Sequence, residues 1–525
     1  MSTPPTFGAL VAARAEDDSV GLRYGDETWT WRELVLQARR RAGIARDLPE
    51  PGHVALAMAN TPEHLLWWLA AALGGFGVVG VNPTRRGAEL ARDLVHTDCR
   101  LVVADDTRAE ALETADLAAL ALPLLDVGSP AHVAGLPEPA AVEPVPTDRL
   151  LSLVFTSGTT ADPKAVICSQ GRMGRIAVQQ AERRGLTATD VFYVAMPMFH
   201  SNAVMAGIAP AVAVGGTIVL RDRFSASGFL PDVRRYGVTF FNYVGKPLSY
   251  VLATPELPDD ADNPLRIAFG NEANEADIAA FADRFGCQVV DSYGSSEGEI
   301  RIMRTPDTPP GSLGLAPDGT VVMDPETLTE CPRARFDGSG RVLNAEEATG
   351  EIVNLHGAEV FEGYYANPAA DAARLRHGWS WSGDLAYRDE AGHFYFAGRT
   401  GDWLRVDGEN VATAPIERLL GRFPGVLGVA VVAMPDERVG DQVRAVVEMR
   451  PGVAFDATAF AAFLAAQPDR ATTWVPREVR VVRRLPRTPT TKVLKRAIPA
   501  EAEPDDVVWV RRGREIAYDR APARP

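Results

Sequence analysis

Leu151-Ser152-Leu153-Val154-Phe155-Thr156-Ser157-Gly158-Thr159-Thr160-Ala161-Asp162-Pro163-Lys164 joins a short, largely apolar run to a loop of small hydroxyl side chains ending in Pro-Lys. The apolar run reads as a buried strand. The loop has the chemistry of an anion cradle. Thr156, Ser157, Gly158, Thr159 and Thr160 let the backbone approach oxygen anions, their N–H and hydroxyl groups can surround a pyrophosphate, and Lys164 adds charge. It is not a Walker loop, because Gly-x-x-x-x-Gly-Lys-[Ser/Thr] does not occur in the chain.

Further short apolar runs follow at Val191–Ala195, Thr217–Leu220, Val238–Tyr243, Leu265–Phe269 and Gln288–Ser292. Amphipathic stretches such as Glu275–Arg284 lie between several of them, and this alternation implies a parallel, doubly wound α/β sheet. Ligands of such sheets bind beyond the carboxyl ends of the strands, so the loops that follow strands are the candidate sites. Upstream, the helical pattern Pro62–Leu73 leads into Val78–Val81, and Ala109–Glu143, rich in Ala, Leu and Pro, reads as including a surface connection. Past Gly350 the texture changes to short strands and turns. A chain of 525 residues exceeds a single core. The expected architecture is a large N-terminal doubly wound domain with mixed sheets, residues 1–400, and a small α+β domain, residues 401–525.

The net charge of −15 argues against a nucleic-acid surface. Residues 471–525 run against that average, with 13 Lys or Arg against 7 Asp or Glu. Cys99, Cys168, Cys287 and Cys331 are scattered without metal-site or disulfide spacing, which fits a reducing cytoplasm, and the N-terminus lacks the regions of a signal peptide. Ala203–Leu220 carries no charge, but Pro210, Gly215 and Gly216 interrupt it. It reads as a buried helix followed by a strand, so no membrane span is expected and only peripheral contact stays open.

Two motifs compete for other functions. Gly75-Phe76-Gly77-Val78-Val79-Gly80 matches a dinucleotide fingerprint but leaves a helix and enters a strand, the reverse of the required order. Gly294-Ser295-Ser296-Glu297-Gly298 matches the nucleophile elbow of serine hydrolases, with Ser296 as nucleophile and His356, His377 or His393 as candidate bases.

Five segments occur together in order: Thr156–Lys164, Tyr293-Gly294-Ser295-Ser296-Glu297, Ser382-Gly383-Asp384, Gly398-Arg399-Thr400-Gly401-Asp402 and Pro486–Lys492. In this the chain resembles the acyl-adenylate-forming superfamily, and specifically its AMP-forming acyl-CoA synthetases. Lesser similarity at Tyr24-Gly25-Asp26, Trp31 and Gly80-Val81-Asn82-Pro83 extends the likeness over nearly the whole chain.

The resemblance implies ATP, Mg²⁺ and CoA. It gives Thr156–Lys164 the ATP phosphates, Glu297 the Mg²⁺, Ser296 a place at the phosphate, and Ser295 a place among the ATP-binding residues. Gly270-Asn271-Glu272 and Asp291-Ser292-Tyr293 would enclose adenine, Gly294 would also belong to the ATP-binding set, and Asp384 and Arg399 would reach ribose. Lys492 would bridge the attacking carboxylate and the α-phosphate, a cation between two anions. The small domain would be mobile about Gly401-Asp402, bringing Gly408-Glu409-Asn410 to a thiol channel.

His200, in Met196–Asn202, aligns with the Asp by which amino-acid-activating relatives pair the substrate ammonium. Without that Asp an amino acid would bury an unpaired charge. In the family such a His resembles an acyl-site gate. Phe199, His200, Asn202, Tyr243 and Gly294, with the apolar Ala203–Ile208 and Phe240 and Phe241, suggest a hydrophobic acyl pocket. Phe269-Gly270-Asn271 and Asp407–Thr413 look closest to the fatty-acid-transport-protein or very-long-chain branch and its steroid-acid relatives, so a fatty, steroid or terpenoid acid is expected. Ala161, Ala165 and Thr491 stand where glycines are common, and Gly401 where an acidic residue or lysine is common. Transfer of the acyl-AMP to a carrier protein or a partner enzyme therefore stays open beside CoA, as do monomer and dimer.

Overall fold

The computed structural model describes residues 4–521 apart from 47, 50–51, 116, 130–131, 133, 156–163, 306, 339–341, 400–402, 407–408, 437–439, 469, 471–473, 489–491 and 514. Its largest sheet has eight strands in the spatial order Arg301–Met303, Gln288–Gly294, Ile267–Asn271, Phe240–Val244, Val191–Val194, Thr217–Leu220, Val20–Tyr24 and Glu27–Thr30. The inner pairs are parallel and the outermost pair at each edge is antiparallel. Five strands expected from the apolar runs are all in this sheet.

Leu150–Phe155 departs from that run. It lies in a second, six-stranded sheet, beside Gly77–Gly80 and antiparallel to Ala165–Ser169. The two strands that flank residues 156–164 in sequence are therefore an antiparallel pair. The stretch read as including a surface connection also contributes structure: Ala109–Thr114 is helical and Leu124–Asp126 pairs with Cys99–Ala104. Gly75 ends the helix Pro62–Gly74 at φ 68°, the left-handed conformation that glycine adopts without strain, and the chain then enters Gly77–Gly80. This helix-to-strand order removes the dinucleotide reading.

The main core joins the facing sides of the two sheets through the helices Trp31–Ala45, Pro62–Gly74 and Gln170–Arg183. Ala203–Ile208 is a π-helix that continues as the α-helix Ala209–Val214 and ends at left-handed Gly215 before the strand Thr217–Leu220. π-Turns of this kind concentrate at functional sites. No described helix is long and apolar enough to cross a membrane.

The far face of the eight-stranded sheet holds a second core, with helices Ala226–Tyr236, Pro247–Leu252 and Glu275–Phe285 over Tyr193, Phe241 and Tyr243. Helices on both faces make the sheet doubly wound. Beyond a five-stranded sheet that ends at Arg399, the C-terminal segment builds a seven-stranded sheet with helices Thr413–Gly421 and Ala457–Ala466 and its own core. The protein thus has a large α/β N-terminal domain and a small C-terminal one.

Phe229 is fully buried and meets the rings of Tyr193, Phe241, Phe281 and Phe285. Phe229→Ala should cost about 3–5 kcal/mol through lost contacts and a cavity, seen as a lower midpoint in chemical denaturation followed by circular dichroism.

Candidate active site

Two neighbouring strands of the large sheet end side by side, with Gly270 in register with Asp291. Asn271 Nδ2 donates to the Ser292 carbonyl at 2.6 Å, and Ser292 Oγ donates to the Gly270 carbonyl at 3.3 Å. These bonds tie together the two segments expected to enclose adenine. A Cβ at Gly270 would lie 2.4 Å from the Tyr243 carbonyl and 2.5 Å from its ring, so only glycine fits. The next residue but one, Glu272, has φ 68°. A left-handed non-glycine residue is strained, and such strain gathers at functional sites.

Glu272 meets Lys492, whose Nζ lies 2.6 Å from its Oε1. Burial pushes the Glu272 carboxyl up, but Lys492, with Arg399 and His200, holds it below the ordinary value. Lys492 comes from the small domain, on a turn in which the Thr488 N–H donates to the Lys492 carbonyl at 2.8 Å and the Lys492 N–H to Thr488 Oγ1 at 3.1 Å. Arg487 fastens the turn to Glu448 of the strand Gly440–Met449 at 2.8 Å, with both side chains buried.

Beside this pair stands His200. Burial, then the Lys492 charge, pushes its imidazole down to about 4, with Glu272 opposing. The Asn202 N–H donates to His200 Nδ1 at 3.3 Å, which assigns the proton of the neutral ring to Nε2. Phe199 stands edge-on to the imidazole, and its backbone lies against Gly80, where a Cβ would be 2.7 Å from the Phe199 carbonyl.

Asp384 accepts from the Tyr293 hydroxyl at 2.5 Å and lies 3.3 Å from Arg399 Nε, the two being cross-strand partners. Burial raises its carboxyl despite Arg399 and Tyr293. Glu297 accepts from the Tyr364 hydroxyl at 2.7 Å, and the Lys164 ammonium lies 5.8 Å from the Tyr364 ring centre. Burial pushes the Glu297 carboxyl up, but Arg374 and the Tyr364 bond hold it below its ordinary value. Arg172 binds the carbonyls of Ser296 and Glu297 at 2.6 and 2.7 Å, and Arg374 spans Glu299 and the Ser382 carbonyl at 2.5 and 2.8 Å, reaching Ser295 Oγ at 3.5 Å. Arg172, Tyr364, Arg374 and Glu299 were not legible beforehand, because each acts on its partner across a long sequence gap and belongs to no local motif.

The serine-hydrolase reading fails on geometry. After Gly298 the chain enters the antiparallel strand Arg301–Met303 instead of the helix that an elbow requires. Ser296 Oγ lies 2.8 Å from Ser201 Oγ, while His393 is held by Asp389 at 3.2 Å.

Alternation along Phe240–Val244 separates the aromatic side chains proposed for the acyl pocket. Phe240 faces the main core with the π-helix, whereas Phe241 and Tyr243 face the second core, where the Tyr243 hydroxyl donates to Asp291 at 2.8 Å. The structure brings Phe199, His200 and Asn202 together, and Asn202 Nδ2 reaches only the backbone carbonyl of Tyr243, at 3.0 Å. Gly294 ends its strand in the open, a Cβ there meeting only the Ile300 carbonyl within 4 Å. Thr156, Ser157, Gly158, Thr159, Thr160, Gly401, Asp402, Gly408 and Thr491 lie outside the described residues, as do the side chains of Glu409 and Asn410. Among the described residues no three His, Cys, Asp or Glu side chains gather as a metal cluster.

Two family models match the chain, AMP-binding enzyme over residues 10–365 and AMP-binding enzyme C-terminal domain over 415–492. The chain belongs to the AMP-binding enzyme family. It is 48% identical over 519 residues to the steroid-22-oyl-CoA synthetase of Rhodococcus jostii (strain RHA1), covering 97% of this chain and 94% of the relative. With the medium/long-chain-fatty-acid–CoA ligase FadD17 of Mycobacterium marinum (strain ATCC BAA-535 / M) it shares 47% over 516 residues, covering 97% and 99%. The fold matches ATP-bound MatB from Rhodopseudomonas palustris with a TM-score of 0.81 at 24% identity, covering 94% and 97%. The reaction class of this AMP-binding enzyme is acid–thiol ligation with AMP formation.

Burial raises the Asp291 carboxyl from the ordinary 3.8 to about 7, although Tyr243 and the Ala273 N–H oppose it. Between these values the folded protein keeps a proton that the unfolded chain releases, so this group's contribution to stability falls as pH rises and levels off above about 7. Relative to the unchanged protein, Asp291→Asn should therefore gain stability from pH 5 to pH 8, measured by denaturant midpoints at both.

Proposed function

We propose that this enzyme adenylates a bulky hydrophobic carboxylic acid, a fatty, steroid or terpenoid acid, and transfers the acyl group to CoA. The observation that carries the reading is Lys492 Nζ at 2.6 Å from Glu272, beside His200, at the carboxyl ends of the parallel strands. The ammonium stands where a carboxylate and an α-phosphate would otherwise repel one another, and it stabilises charge on both as they react. An oxygen of the acid attacks the α-phosphorus, forming the acyl–phosphate bond while the bond to pyrophosphate breaks. In the second step the thiol releases its proton to solvent as its sulfur bonds to the acyl carbon, and AMP leaves with the electron pair of the broken C–O bond.

Around these steps each side chain has a task. Asp384 accepts the ribose hydroxyls with Arg399 beside it, and Gly270–Glu272 with Asp291–Gly294 frame the adenine. Thr156–Lys164 holds the phosphates. Mg²⁺, a hard cation that takes one or two carboxylates and phosphate oxygens, would use Glu297 and neutralise the pyrophosphate. The fit rests on the Glu297 carboxyl, which stays ionised although buried. Rotation about Gly401-Asp402 would withdraw Lys492 and present Gly408, Glu409 and Asn410 to the thiol.

The neutral His200 bears on the choice of acid. An amino acid would bring its ammonium against an uncharged imidazole with Lys492 nearby, an unpaired charge in a buried place. The hydrophobic acids named for the relatives support the lipid reading.

Purified protein with ATP, Mg²⁺ and a panel of acids tests this directly. Fatty or steroid acids should give acyl-AMP and pyrophosphate without CoA and acyl-CoA with it, and amino acids should react at least about 100-fold less efficiently. AMP and pyrophosphate without acyl-CoA, when CoA is present, would point to a carrier or partner acceptor instead.

A further inference from the structure

The strand Phe240–Val244 carries one polar side chain into the main core. Asn242 shares a face with Phe240 and Val244, is fully buried, and lies against the π-helix at Gly207, where a Cβ would be 2.7 Å from Asn242 Oδ1. Glycine at 207 leaves the room that the amide fills. Among the described residues nothing donates to that Oδ1. A buried orphan acceptor is costly, and an apolar side chain of similar shape would avoid the cost. The reason for an amide here must lie in its other end.

That end begins a chain of hydrogen bonds toward the active site. Asn242 Nδ2 donates to Asn202 Oδ1 at 2.9 Å, and Asn202 Nδ2 donates to the Tyr243 carbonyl at 3.0 Å. The Tyr243 carbonyl can only accept, so Asn202 turns its amino group that way and its oxygen to Asn242, which must answer with Nδ2. Asparagine at a helix start ordinarily caps the helix with its own side chain, but Asn202 makes no such bond, its amide being turned to the sheet. The cap comes from His200 instead. The helical run starts at Ser201, its first N–H groups have no carbonyl within the helix, and the Asn202 N–H donates to His200 Nδ1 at 3.3 Å. Asn60, just past the strand His53–Ala57 of the second sheet, holds the other end of the same segment, its Nδ2 donating to the Met196 carbonyl and its Oδ1 accepting from the Met198 N–H, both at 2.8 Å. The His200 end is left to Asn202 and Asn242.

We propose that Asn242 is a positioning residue of the acyl site: through Asn202 it fixes the His200 ring with Nδ1 as acceptor and Nε2–H as the donor offered to the carboxyl group of the acid beside Lys492. The inference rests on the proposed activation of the acid. One carboxylate oxygen attacks the α-phosphorus, and the other accepts from Nε2–H, which holds the group in line for attack. A ring free to turn would present a lone pair to the same oxygen and repel it.

Two measurements test this. In nitrogen NMR of isotope-labelled protein, with the His200 ring assigned by its loss in His200→Ala, the unchanged protein should show the single tautomer protonated at Nε2, and Asn242→Leu should show a mixture of the two. In adenylation read as pyrophosphate release without CoA, Asn242→Leu should lower kcat about tenfold while KM for ATP and the denaturant midpoint stay close to unchanged, because leucine has nearly the same shape. In a His200→Ala background Asn242→Leu should have no further effect on kcat, since its action passes through the ring. Gly207→Ala, whose Cβ would push the same amide, gives the reading if Asn242→Leu does not fold. An unchanged tautomer or an unchanged kcat in Asn242→Leu overturns the inference and leaves acid activation standing. A fall in kcat that persists in the His200→Ala background assigns Asn242 to the core alone and also overturns it, and no adenylation of fatty or steroid acids by the unchanged enzyme overturns both.

Discussion

The ion pair between Lys492 and Glu272 joins a turn of the small domain to the end of a parallel strand in the large one, at 2.6 Å. Glu272 holds a strained left-handed backbone at that point, just after Gly270, whose missing side chain makes room for Tyr243. Lys492 is held from behind by a two-way bond with Thr488 and by the buried Arg487–Glu448 pair. A flexible lysine is thereby fixed where a solvated one would wander, which is the preorganisation that electrostatic catalysis requires. His200 stays neutral partly because this cation is close.

The parallel sheet supplies the second constraint. Strands that run side by side end side by side, so Gly270–Glu272 and Asp291–Gly294 reach the site together although about twenty residues separate them. The antiparallel turn into Arg301–Met303 then bends Ser296 and Glu297 back toward Tyr364 and Arg172.

Much of this was legible in the sequence because it is local. The strands of the large sheet are short apolar runs, and the resemblance rests on compact motifs whose glycines, carboxylates and lysine sit within a few residues of one another. What stayed hidden is non-local. Nothing in Leu151–Phe155 reports which sheet it joins, since that depends on the pairing with Gly77–Gly80. Phe240, Phe241 and Tyr243 look equivalent as a string, but alternation sends Phe240 to one core and the other two to the opposite one. Arg172, Tyr364 and Arg374 hold Ser296, Glu297 and Glu299 from distant positions, and the π-turn at Ala203–Ile208 has no hydrophobic period of its own.

The central claim is that Lys492 acts in the first half-reaction by its charge. Its most direct test measures Lys492→Ala in both halves, acyl-AMP formation from acid and ATP, and acyl-CoA formation from supplied acyl-AMP and CoA. The account predicts that the first falls by at least about 100-fold, the scale of losing one preorganised charge contact, while the second persists and circular dichroism is unchanged. Acyl-AMP formation at the unchanged rate in that variant would contradict it.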